Sequence, residues 1–176
     1  WKSHIKHVLD EIVHKNWRFE LFLSHRLQVY RTIHVFYQPI VWWKFAQRLP
    51  FLRRPCCTML RLICGTNVLA INVKVDVIRS LRYCIHCTGD HGEYLLHFVM
   101  YCPKFSDIRI GLMSKISYNL SIDGRITWHS LSDYMKFLLM MGLDFPLDAQ
   151  DLFCVRYYSC ISINNMYIRR KSFEPP

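Results

Sequence analysis

The chain lacks the patterns by which most enzymes are recognised. No Asp-Asp pair occurs in its 176 residues, so the paired carboxylates with which a polymerase holds two metal ions are missing. The His-x-Glu followed later by Pro-Cys-x2-Cys of a zinc deaminase is absent, since no Pro-Cys-x2-Cys occurs, as is the Gly-x-Ser-x-Gly of a serine nucleophile turn. The expectation is a chain that is not catalytic by itself. No apolar run reaches the roughly 18 residues that cross a bilayer. The longest, at 137–141 and 35–43, are short and interrupted, and a membrane role is not expected. Internal repeats and low-complexity segments are also missing.

Acidic residues are scarce: 13 Asp and Glu face 23 Lys and Arg, a formal charge of +10. Such an excess suits polyanion partners, RNA or DNA above all. A hydrophobic content of 52% is enough to bury a core, as one domain or a small domain with appendages. The chain starts at Trp1, which reads as a fragment or a processed end, and no cleavable signal peptide opens it. An intracellular setting, nuclear or cytoplasmic, is expected, where thiols stay reduced.

Against that setting the eight cysteines call for another use. Cys84-Ile-His-Cys87 is followed by His97-Phe-Val-Met-Tyr-Cys102-Pro103, giving Cys-x2-Cys-x9-His-x4-Cys. A close Cys pair presents two thiolates from a tight turn, and His97 and Cys102, about one helical turn apart, present two more ligands from one helical face. Three thiols and an imidazole close a tetrahedron round Zn2+ and leave no position for water, so the ion expected is structural. The competing readings are buried cysteines or a disulfide set. His86 and His91 are also within reach as ligands. His97 is favoured because Leu95, Leu96, Phe98 and Val99 can bury and fix it, whereas His91 sits between Asp90 and Gly92 in a solvated turn. Cys56, Cys57, Cys64, Cys154 and Cys160 lie in apolar surroundings and read as packed thiols.

The Cys84-x2-Cys87 pair, Glu93, His97-Phe98-x3-Cys102-Pro103 and Arg109 together resemble the zinc-knuckle region beyond the polymerase core of LINE-type (non-LTR) retrotransposon reverse transcriptases. The likeness extends to 60–69, 105–112 and 134–143, and spans about residues 55–173, most strongly 84–109. It implies a domain that helps such a protein engage its RNA or its DNA target during target-primed reverse transcription. Some members of that family carry a nuclease beyond the knuckle, marked by an Asp and a later acidic-x-Lys. Asp144, Asp148 and Asp151 imitate its start, but no acid stands two before Lys171.

Nucleic-acid contacts are expected near the knuckle, from Arg79, Arg82, Lys104 and Arg109 to phosphates and from Tyr83 and Tyr101 to unpaired bases. A second basic cluster joins Arg169-Arg170-Lys171 to Arg156 and Lys136, although basic residues at a helix end also complement its dipole. The rival function is a structural or protein-interaction zinc domain without nucleic-acid binding.

The pattern predicts a mainly α fold: a helical domain with a small CCHC zinc-binding loop. Residues 1–52 form an N-terminal helical region, and 53–176 carry the knuckle and its C-terminal helices. In residues 1–14, Trp1, Ile5, Val8, Leu9 and Ile12 recur at helical spacing as a core-facing stripe. Helices are expected over 19–37, 41–49, 56–64 after Pro55, from Pro103, after a Ser130 cap up to Gly142, and from Asp148 to Lys171. Alternation at Ile71, Val73, Val75 and Val77 leaves strand, loop and short helix open.

Overall fold

The structure is a computed structural model that describes residues 1–24, 27–34, 40–66, 69, 83–84, 86–87 and 94–172. These are mainly helical, with no β-strand among them. The alternating segment at 71–77 lies outside the described residues, as do Arg79, Arg82, His91 and Glu93.

Eight α-helices occur among the described residues: α1 (Lys2–Leu23), α2 (Gln28–Ile33), α3 (Val41–Arg48), α4 (Arg53–Ile63), α5 (Ser106–Asn119), α6 (Ile122–Ser130), α7 (Asp133–Met141) and α8 (Ala149–Lys171). The centre of the fold is α8, which packs against α4, α5 and α7. Its inward face carries Leu152, Val155, Ser159, Ser162, Ile163, Met166 and Tyr167, all buried as the periodicity predicts. Asp148 caps it by accepting the Asp151 N–H at 2.8 Å, and Arg169, Arg170 and Lys171 occupy the last turn, where the carbonyl end of the dipole favours cations.

One hydrophobic cluster runs from Ile33 through α3, α4, Cys84 and Leu95 to Phe105, and on to Tyr167, across the boundary drawn at residue 52. In α3, Trp42 is fully buried and its Nε1–H donates to the Met141 carbonyl at 2.7 Å, tying α3 to the end of α7. Gly142, which ends α7, has φ 118°, and a Cβ there would press on Val41 at under 3 Å. Only glycine fits both the left-handed backbone and the gap.

Three expectations need correction. Helix α1 extends to Leu23 and breaks at Ser24 (φ −89°, ψ 109°), so 19–37 is not one helix. The stripe at Ile5, Val8, Leu9 and Ile12 is exposed, with Leu9 at 55%; periodicity tells which residues share a face, not what covers it. Helix α7 is capped by Ser132, whose hydroxyl accepts the Met135 N–H at 3.3 Å. Ser130 instead closes α6, a helix the sequence reading did not foresee, and donates to the Thr127 carbonyl at 2.7 Å. Of two nearby serines, the one with extended backbone directly before the new helix becomes the cap.

Candidate metal centre

Cys84 and Cys87 lie on a tight turn closed by the Cys87 N–H donating to the Cys84 carbonyl at 3.2 Å. The other two ligands come from the far side of a nine-residue spacer. Leu95 and Leu96 enter as helix, and His97–Tyr101 then widens into a π turn. Its closing bond runs from the Cys102 N–H to the His97 carbonyl at 2.7 Å, five residues back. In a regular α-helix, residues five apart point about 140° away from each other. The wider π turn brings them to one side, so the expected single-face presentation holds only through this local widening.

The four donors converge. Cys84 and Cys102 Sγ are 3.7 Å apart, Cys87 and Cys102 Sγ 3.9 Å, and Cys87 Sγ lies 3.3 Å from His97 Nε2. All four ligand atoms fall within 4.8 Å of one another, close enough to hold one metal ion. A bonded disulfide has sulfurs about 2.05 Å apart, so these thiols are free. His86 is not in this group; its ring meets Phe105 edge to face at 6.1 Å.

The site is embedded in the core. Cys84 and Cys102 are buried, as are Leu95, Phe98, Val99, Met100 and Phe105, and the Phe98 and Phe105 rings pack edge to face at 5.1 Å. Burial pushes the Cys84 thiol up to about 12, partly offset by the backbone N–H of His86 aimed at its sulfur. Burial also raises Cys102, against the backbone N–H of Lys104. A cation centred among these sulfurs reverses that penalty and draws off the protons. The two N–H···S contacts orient the ligands, as outer-shell donors do in metal sites.

Arg109 has a part that spacing alone does not reveal. Its guanidinium donates to the Val99 carbonyl at 3.3 Å and the Cys102 carbonyl at 3.0 Å, clamping the end of the π turn onto α5. Burial lowers its pKa, while the Cys102 sulfur works to raise it. A carbonyl freed by the π turn needs a donor, and a basic residue in the first turn of the next helix is the one sequence signal for it. Lys104, Tyr83 and Tyr101 are exposed beside the ligands.

The second basic cluster is dispersed. Arg169 forms a fork onto Asp107 at 2.8 and 2.9 Å. Lys171 lies over the Tyr167 ring at 5.1 Å. Arg156, which burial lowers to about 10, pairs with Asp144. Comparison with family models, curated proteins and solved structures returns no match for the chain.

Proposed function

We propose that this chain is a nucleic-acid-binding domain stabilised by a structural zinc ion, akin to the knuckle region of LINE-type reverse transcriptases that its sequence resembles. The observation that carries the reading is the donor geometry. Zinc at about 2.3 Å from sulfur and about 2.0 Å from nitrogen needs edges of about 3.8 Å between sulfurs and about 3.5 Å from sulfur to nitrogen. The edges here are 3.7, 3.9 and 3.3 Å, and the set of three thiols and one imidazole suits a borderline-soft ion. With all four positions taken by the protein, the ion would organise the loop and perform no chemistry. Nucleic acid as partner is supported by the +10 charge and by the resemblance.

A rival reading has its own support. Helix α1 exposes Leu9, Phe19 and Phe22, the last at 75%, which is unlike a phosphate-facing surface and like one that meets another protein. Two measurements decide. Native mass spectrometry should find one zinc in the parent and none in Cys87→Ser; full zinc in that variant would overturn the ligand set. Affinity for single-stranded RNA or DNA should fall steeply with salt, whereas no binding at low salt would leave the interaction reading in place.

A further inference from the structure

Next to the metal centre, α5, α6 and α7 enclose a cleft of about 760 Å3, floored on one side by Met100 of the π turn. Pockets of roughly 300–1,000 Å3 are the size that holds a drug-sized molecule or a nucleotide. Its cations are Arg109, Arg125 and Lys136, against one carboxylate, Asp133. Arg109 is already committed to two carbonyls. Arg125 is exposed, and its guanidinium makes a long contact, 3.5 Å to the Leu120 carbonyl. Lys136 lies 6.0 Å above the Trp128 ring, and neither it nor Arg125 is paired with a carboxylate among the described residues. Tyr118 stands at the rim with 82% of its surface exposed.

Two of the other candidate cations are neutralised. Arg169 and Arg156 are each paired with a carboxylate. The cleft therefore combines two cations without a carboxylate partner among the described residues and an exposed aromatic within one surface. We infer that the α5–α6–α7 cleft takes one nucleotide of a single-stranded nucleic acid, with its phosphate on Arg125 and Lys136 and its base on Tyr118. This rests on the nucleic-acid reading above and moves the contact surface from the knuckle's flanks to the groove beside it. A single strand is the occupant because an unpaired base presents a face to stack, which a duplex hides, while the paired cations track the backbone. The metal centre then acts through Arg109, whose clamp joins the π turn to the wall of the cleft.

The test is fluorescence anisotropy of a labelled oligouridylate of about ten nucleotides across a salt series starting near 50 mM. The joint variant Arg125→Gln with Lys136→Gln keeps both stems and removes both charges. It should bind about tenfold or more weakly and lower the salt slope by about 1.4, since each single-strand phosphate contact contributes about 0.7. Tyr118→Ala should weaken binding by about tenfold with the slope unchanged. Lys6→Gln with Lys15→Gln, on exposed α1, removes the same charge at residues that do not line the cleft and should cost less than about threefold. Zinc content and far-UV circular dichroism equal to the parent's establish that each variant is folded. If the two charge variants weaken binding equally, the cleft assignment is overturned while nucleic-acid binding stands; if uridine monophosphate competes as well as the oligonucleotide, the single strand is overturned as the occupant. If the parent itself does not bind at the lowest salt, both readings fall.

Discussion

At the residue scale, two buried side chains, Asp151 and His34, hold consequences beyond their own positions. Asp151, buried at the start of α8, accepts the Ser121 N–H at 2.8 Å and the Ser121 hydroxyl at 2.6 Å. Ser121 in turn caps α6 by accepting the Gly124 N–H at 3.0 Å. The N-termini of α6 and α8 are thus joined through one carboxylate, which both helix dipoles favour. A Cβ at Gly124 would fall inside the Asp151 carboxylate. Gly124→Ala, ordinarily helpful within a helix, should here destabilise by about 1–3 kcal/mol, as overpacking does. A denaturant midpoint equal to or above the parent's would show that the two helix ends are not locked.

His34 offers a pH-dependent counterpart. It is buried, both ring nitrogens lack a hydrogen-bond partner among the described residues, and Tyr30 lies 4.6 Å away ring to ring. Desolvation lowers its pKa below the ordinary 6.5, and the charges sharing its cavity are Lys44, Arg48, Asp144 and Arg156. The folded state therefore keeps it neutral while the unfolded chain takes up a proton. Its contribution to stability is complete above pH 6.5 and is lost as pH falls from there through the lowered folded value. His34→Phe should remove this part of the decline between neutral and mildly acidic pH in urea melts. An unchanged decline would place its origin in other groups.

At the scale of elements, the π turn and α1 show how far each depends on something outside itself. The turn at His97–Tyr101 is closed by the Cys102 N–H on the His97 carbonyl, and the metal would hold both of its ends. Chelation should loosen 84–102, because a site that does not persist without its ion draws its order from binding. The helices round α8 are buried against one another and should remain. The check is hydrogen exchange with and without chelator: fast exchange confined to 84–102 is expected, and collapse of protection across α4, α5, α7 and α8 would mean the core needs the ion. Helix α1, by contrast, buries Leu21 alone among its described side chains and meets α2 through Trp17 and Tyr30. Its length follows from local preference and not from a packed face.

At the scale of the whole molecule, the sequence by itself determined the mainly helical class, the inward face of α8, the Gly142 stop and the four-ligand group. Each is carried by spacing along the chain, through the 3.6-residue period, a left-handed stop or a pair of close thiols. The tertiary structure decided what spacing cannot carry. It widened one turn so that His97 and Cys102 face the same point, and it turned Arg109 towards the Val99 and Cys102 carbonyls. It left the α1 stripe in solvent, joined α6 to α8 through Asp151, and gathered Arg125, Lys136 and Tyr118 about one cleft. The physical reason is common to all of these. Whether a cation meets a carbonyl, a carboxylate or solvent depends on which helices pack side by side, and that choice is made by burial summed over the whole core.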